Sequence, residues 1–443
     1  MSASPSSVET DNSPSSLAGA LAPVTALLAS VSLLLAGNGL QNTLIPVRGG
    51  LEDFGALNIG ILGSAYFGGF TIGCYYGASL IRRAGHIRTY LAMVSLASAV
   101  ALVHAFLVEP IAWWLLRALT GFCFAVLFTV IESWINEKTD NANRGTVFSI
   151  YAMITLTVMT LGQMMLPLAD PKEFALFALA SVLVSLAALP VAFTSAVTPA
   201  PIPLVRLDFR RLVKNSPVGV IGCLAVGFTN GAFWGIAPVF AQDRGFDTTK
   251  IGLFMSAVVL GGAIAQYPLG LLSDRIDRRK VIVIASVIAL ASAISITIVS
   301  QNAFEQTLLL GAFFGAGSFP LYALVIAHAN DHADQNDFVE TSSGLLLVFG
   351  AGAAIGPILA SSLRATHSGL TLFVFTSVVH ALLICFAMWR MSQTERPAEE
   401  DRVDFSESFI ATETVIPYEP ETSEDDPIET SETDEVASKD NPA

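Results

Sequence analysis

Twelve mainly apolar runs fill this chain, near residues 20–44, 57–80, 89–108, 111–136, 145–168, 174–194, 217–240, 251–272, 281–300, 306–328, 340–363 and 368–391. A helix needs about 20 such residues to cross a bilayer. In lipid the backbone must satisfy its own hydrogen bonds, so the runs predict helices; barrel strands would be about half as long and would alternate. Composition agrees. Of 443 residues, 53% are hydrophobic and 14% charged, against about 25% charged in soluble domains. That leaves too little polar surface to cover a water-soluble globule. The expected fold class is an all-α membrane protein with twelve transmembrane helices, its immediate partner the lipid bilayer.

The net charge of -14 belongs to one tail. Residues 393–443 hold 17 Asp and Glu against 3 Lys and Arg, while residues 1–392 balance at 20 of each. A segment this polar cannot bury a core, so the tail is expected to be disordered, as a solvated tether or a partner-docking element. No basic patch offers itself to nucleic acid. Residues 1–16 are Ser-rich and lack Lys and Arg, and the apolar run after them is too long for a signal peptide, so no cleavage is expected. Cys74, Cys123, Cys223 and Cys385 fall singly in four apolar runs, which predicts packing residues without disulfide or zinc.

Lys and Arg in short connectors set orientation. Connectors after the even-numbered runs carry 13, those after the odd-numbered runs 5. The even set is therefore expected on the cytoplasmic side, with both termini. The break at 194–216, Pro-rich with Arg206, Arg210, Arg211 and Lys214, reads as an interfacial connector containing a short amphipathic helix.

The chain also repeats itself at an offset of 192 residues. Asn38-Gly39-x6-Pro46-Val47 returns as Asn230-Gly231-x6-Pro238-Val239, and Ile59-Gly60-x3-Ser64-Ala65 as Ile251-Gly252-x3-Ser256-Ala257. Gly69 matches Gly261 and Arg83 matches Arg275; with a drift of two, Gly121 matches Gly315 and Gly162 matches Gly356. An offset of six helices puts both halves in the same orientation, related by an axis along the membrane normal. Such a pair encloses a cavity that rocking can open to either side. The organisation predicted is a disordered 1–16, a six-helix bundle over 17–194, a cytoplasmic linker over 195–216, a second bundle over 217–392 and the acidic tail over 393–443.

After the eighth run the chain reads Gly270-Leu271-Leu272-Ser273-Asp274-Arg275-Ile276-Asp277-Arg278-Arg279. This resembles the G-x-x-x-D-R-x-G-R-R loop of the major facilitator superfamily, with Asp277 where that family usually has Gly. The mate after the second run is degenerate: Arg82 replaces the acid, while Arg83, Gly85 and Arg88 remain. Arg117-Ala118-Leu119-Thr120-Gly121 resembles the family's R-x-x-x-G element. The resemblance covers about residues 17–392. Glu132-Ser133-Trp134 and Gly162-Gln163 also resemble a bacterial YcaD-like subset. The resemblance implies that Asp274, Arg275 and Arg278 latch the cytoplasmic ends in an outward-facing state, Arg278 or its neighbours reaching Asp331 or Asp334. The alternative is that these cations only fix topology.

Arg117, well inside the fourth run, is expensive to insert and is expected to attract a substrate anion or to act on a nearby carboxylate; a structural ion pair is the competing reading. Glu132 lies too far along the same helix to pair with it, and is expected to bond Arg82 or Arg83, or to carry a coupled proton. Asn38, Gln41, Asn42, Asn230 and Trp234 sit on helices that line the cavity in the family, so they read as substrate ligands or as interhelical glue. Gln266, Tyr322 and Gln163 are candidates on the same argument. His104, His328 and His380 are isolated and read as packing residues. Gly350-x-Gly352-x3-Gly356-Pro357 lies within an apolar run, so it predicts close helix packing instead of a phosphate loop.

No P-loop, HExxH, GxSxG or paired intramembrane carboxylate is present, which excludes ATP-driven pumping and the common hydrolases. The expected function is secondary active transport of a small anionic or zwitterionic solute, proton-coupled, without a cofactor, by a monomer in a bacterial inner membrane. The alternatives are a sensor on a transporter fold, with the acidic tail as its docking element, and a multidrug efflux pump.

Overall fold

The computed structural model describes residues 24–139, 144–193, 209–300, 303–333, 338–364 and 371–393. The acidic tail, Arg206 and Asp334 lie outside the described residues. The described part is helical throughout: α1 Thr25–Leu51, α2 Ala56–Ala84, α3 His86–Phe106, α4 Pro110–Lys138, α5 Arg144–Gln163, α6 Ala175–Leu186, α7 Ala188–Ala192, α8 Phe209–Asn215, α9 Pro217–Asp243, α10 Thr248–Arg275, α11 Arg278–Ile298, α12 Phe304–Ser318, α13 Leu321–Asn330, α14 Phe338–Arg364 and α15 Thr371–Gln393.

Among the described residues, eleven spans are long and apolar enough to cross a membrane. The expected first span, α1, is just as long at 27 residues, but Asn38, Gln41 and Asn42 dilute its hydropathy. Two runs that read as single spans are broken. The sixth divides into α6 and α7 before Pro190, and the tenth into α12 and α13 at Pro320. Proline has no N–H to give the carbonyl four residues back, and its ring crowds that carbonyl. The connector helix α8 spans only seven residues.

The helices before and after the 194–208 stretch pack in the same pattern. In the first half α1 lies against α5 and α6, α2 against α4, and α3 against α6; in the second, α9 lies against α14 and α15, α10 against α12, and α11 against α15. The repeated glycines sit at these crossings. A β-carbon on Gly69 would collide with the Ala118 carbonyl and one on Gly121 with that of Tyr66; their mates Gly261 and Gly315 stand in the same relation to Ala312 and Val258. Gly162 against Ala36 is matched by Gly356 against Phe228. Without a hydrophobic drive between helices in lipid, small residues that let backbones touch supply the packing. The repeat is thus a repeat of crossings. The glycines of the Gly350–Pro357 stretch serve them as expected, Gly352 on Leu224 and Gly356 on Phe228.

The halves meet chiefly through α2 on α14 and α9, with α10 on α5. The seam is tightest toward the end carrying the α1–α2 loop. A β-carbon on Gly63 of α2 would lie 2.8 Å from the Gly235 Cα of α9 and 3.2 Å from the Pro357 Cβ of α14. Nearer the same end, Gly60 abuts Ser361 and Gly50 abuts Gln242. One buried apolar cluster fills the second half and continues across this end into Leu44, Ile45, Ile59 and Trp113. A separate cluster, from Val24 to Val191, holds the opposite end of the first half.

Candidate functional site

Behind the Gly63–Gly235 contact a cavity of about 240 Å³ opens between the halves. Its polar wall comes from the first half: Asn38 and Asn42 of α1, Tyr66, Thr71 and Cys74 of α2, Arg117 of α4 and Thr155 of α5. From the second half it takes Trp234 and Gly235 of α9 and Leu346, Leu347, Phe349 and Gly350 of α14. Among the described residues no carboxylate lines it. Pro46 and Pro238, each inside its helix, deprive the carbonyls of Asn42 and Trp234 of their helical N–H partners. These two residues are mates in the repeat, and both line the cavity.

Arg117 is 5% exposed. It enters the site because α4 starts at Pro110, a residue suited to the first helical position, and seven residues at 1.5 Å rise carry it ~10 Å inward. Its Nη2 donates to Asn42 Oδ1 at 3.1 Å, and the guanidinium lies 4.4 Å from the centre of the Tyr66 ring. The Tyr66 hydroxyl lies beside the amides of Asn38 and Asn42. Arg117 Nη1 and Asn38 Oδ1 are buried without a hydrogen-bond partner. A cation with an unused donor beside a chamber whose described lining holds no carboxylate has the chemistry to bond an anion.

Of the other expected ligands, Trp234 lines the cavity and stacks on Phe319 at 6.0 Å and 18°. Tyr322 stands behind the wall, 4.7 Å from Phe349, with its hydroxyl buried and unpartnered. Asn230 turns instead to Ser318, whose Oγ donates to its Oδ1 at 3.4 Å. Gln41 is buried with both amide atoms unpartnered, outside the cavity lining, and Gln163 is buried likewise at the seam beside Gly252. Gln266 is half-buried next to outward-facing Tyr267 and is not part of the lining. The sequence reading missed Tyr66, Thr71 and Thr155. Tyr66 carried a signal, as a phenol near the middle of an apolar run, away from the Tyr75–Tyr76 pair closer to its end.

At the far end of α4, Glu132 is buried and accepts a hydrogen bond from the Tyr151 hydroxyl at 3.4 Å. The expected pairing with Arg82 or Arg83 does not form. Both arginines are exposed at the end of α2, where solvation holds them away from a buried carboxylate. Next to Glu132, Ser133 meets His86 Nε2 at 3.1 Å, and the Trp134 ring lies 6.2 Å from the same imidazole.

In the α10–α11 loop, Arg278 pairs with Asp274 at 3.2 Å and with Asp331 at 3.1 Å, while Arg275 is exposed. Both pairs stay within the second half. Asp277, where the family pattern has glycine, caps α11 by accepting from the Arg279 N–H at 2.9 Å. Its φ of -59° needs no glycine, whereas its mate Gly85 sits at +83°. Burial works to raise the Asp277 carboxyl, but the side-chain and backbone hydrogen bonds from Arg279 and its charge outweigh it and hold the pKa below the usual value. A depressed carboxylate stabilises the fold above its unfolded pKa and loses that contribution as pH falls through the folded one. Asp277→Asn is therefore expected to cost about 1 kcal/mol at neutral pH, the low end for a charge-assisted bond in a partly hydrated pair. Melting curves of variant and wild type should stay apart above about pH 4 and draw together only as pH falls further, through the lowered folded pKa.

His104 and His380 donate through Nδ1 to Val100 and Thr376 carbonyls one turn back, and His328 packs on His332 at 4.7 Å. Among the described residues no cluster of metal ligands occurs. The four cysteines are free thiols.

A sequence model of the Major Facilitator Superfamily matches residues 27–247 and 219–420. The uncharacterised MFS-type transporter YcaD of Salmonella typhi is 25% identical over 377 residues, covering 85% of this chain and 97% of its own. Its namesake in Escherichia fergusonii matches to the same extent. Among solved structures, the nucleoside transporter NupG aligns with a TM-score of 0.68 at 13% identity, over 84% of this chain and 98% of its own. A bacterial homologue of the human lysosomal transporter Spinster, in an inward-facing and occupied conformation, aligns at 0.66 with 15% identity, over 86% and 98%. At such identities the likeness is one of fold.

Proposed function

The chain belongs to the Major Facilitator Superfamily, a family of membrane transporters and not of enzymes, and on that premise we propose that it moves a small organic anion or zwitterion by alternating access. The moving parts are two bundles of six spans each, α1–α7 and α9–α15, with α6–α7 and α12–α13 each forming one broken span and α1 as the twelfth. The observation that carries this reading is the Arg117 guanidinium, buried at the cavity wall with one donor unused. The absence of any carboxylate from the described lining speaks against a cationic drug as cargo. A melting-temperature screen on purified protein tests it. Organic anions or zwitterions should stabilise the wild type and fail to stabilise Arg117→Ala. Stabilisation by organic cations, undiminished in that variant, would reject the reading.

The connector charges support a cytoplasmic location for both termini, which would turn the sealed α1–α2 end outward and make this a conformer closed to the periplasm. Cysteines introduced at Glu109 and Glu305, in a chain stripped of its own, should react with an impermeant reagent on intact cells, and those at Arg83 and Lys280 should not. Labelling of both pairs from one side would overturn the topology. Lys280 serves because it is exposed, whereas Arg278 is buried.

We assign proton coupling to Glu132, buried against Tyr151, and gating to the charges of the cytoplasmic loops, Arg82 and Arg83 with Asp274, Arg275 and Arg278. Glu132→Gln should abolish uptake driven by a pH gradient and leave substrate counterflow intact. Gradient-driven uptake that survives the substitution would remove Glu132 from the coupling step.

A further inference from the structure

Nearly all the polar groups of the cavity sit on one of its two walls, and that placement specifies the cargo. The one formal charge among its described lining residues, Arg117, is on the first half, together with the amides and hydroxyls and beside apolar Phe67, Phe70, Phe128 and Met159. Facing them, the second half presents Trp234, Leu346, Leu347 and Phe349 with two glycines, and the Trp234 indole N–H is its only polar side-chain group. That wall is held in place from behind: Trp234 lies parallel to Phe319, and Phe349 rests on Tyr322. A ligand bridging the halves must therefore be polar at one end and flat and apolar at the other. A single guanidinium with one free Nη1 compensates one negative charge; a second would be desolvated unpaired, at high cost. The volume, about 240 Å³, lies below the usual range of ~300–1,000 Å³ for ligand pockets, which limits the body to about one ring.

Resting on the anion reading above, we propose that the cargo is a small aryl or similarly apolar monocarboxylate, bound head-first. Its carboxylate accepts from Arg117 Nη1 and from the neighbouring amide and phenol donors, and its ring lies on Trp234 and Phe349. Each half thus grips a different end of one molecule, so occupancy ties the bundles together.

Titration calorimetry on the purified full chain tests this with phenylacetate, its neutral isostere phenylacetamide, ringless acetate, the dianion phenylmalonate and the cation phenethylamine. Phenylacetate should bind at least about tenfold more tightly than each of the other four, since losing the charge or the ring removes ~1.4 kcal/mol or more. Arg117→Lys should lose most of that preference over phenylacetamide, because a point ammonium lacks the planar fork. Trp234→Ala should weaken phenylacetate at least about fivefold and leave acetate unchanged, as expected for loss of a stacking face. The discrimination among ligands is read on the wild type, so it holds even where a variant fails to fold. Equal affinity for phenylacetamide, or preference for phenylmalonate, would overturn the monoanion assignment. If other organic anions bind through Arg117 while phenylacetate does not, this inference falls and the anion-transport reading stands. If no anion responds to Arg117 substitution, both fall.

Discussion

Arg117→Ala and Arg117→Lys should each abolish transport while leaving the melting temperature within a few degrees of wild type. The stability half follows from the partners that Arg117 has. Alanine forfeits one charge-assisted hydrogen bond to Asn42, about 1.5–3 kcal/mol, and the stack on Tyr66, about 0.5–2 kcal/mol. Against that, it relieves the cost of a cation deep in a membrane helix, about 2.5–3.5 kcal/mol on insertion scales. These terms nearly cancel. Had Arg117 been half of a buried ion pair, removal would strand a carboxylate and cost about 3–5 kcal/mol; no carboxylate among the described residues pairs with it. The functional half follows from the free Nη1. Truncating one partner of a desolvated charge contact costs about 2 kcal/mol or more, so affinity for an anion should fall about thirtyfold at least. Loss of stability in step with activity would make Arg117 scaffold.

Gly63→Leu should invert the conformational balance. In the present state position 63 faces Gly235 and Pro357 with no room for a side chain, and overpacking of this kind costs about 1–3 kcal/mol. The penalty applies only while the α1–α2 end is shut, so a 2 kcal/mol wedge moves the population about thirtyfold toward the opposite state. Spin labels at Leu57 and Thr249, both near that end and facing away from the packed core, should report a longer distance in the variant. Unchanged distances with intact folding would mean that the seam does not gate.

How much of this was legible in advance depends on which interactions are local. Eleven of the twelve expected spans were, among the described residues, because a backbone in lipid must bond within its own segment, so a helix is specified by its own apolar run. Proline breaks and caps are local too, yet the breaks at Pro190 and Pro320 were missed: both halves of each run stay apolar, and hydropathy sees no interruption. The repeat was legible because glycine at a backbone crossing tolerates no substitute, as at Gly69 and Gly261. Those glycines, with the loop from Gly270 to Arg279 and the Arg117–Gly121 element, were enough to indicate the family.

What only the tertiary structure decided is which way each polar residue faces. A transmembrane helix is apolar on nearly every side, and lipid and a neighbouring helix offer side chains much the same environment, so hydropathy does not mark the inner face. Hence Asn42 and Trp234 reach the cavity while Gln41 and Gln266 do not, and Asn230 bonds Ser318. The meeting of Asn42, Tyr66 and Arg117 joins three helices across 75 residues of sequence, and Glu132 finds Tyr151 in place of the arginines that charge alone would have chosen. The sequence by itself determined the spans, the duplication and the family; packing decided the walls of the cavity and which end is closed, because those depend on helix rotation and on contacts between halves that no local pattern encodes.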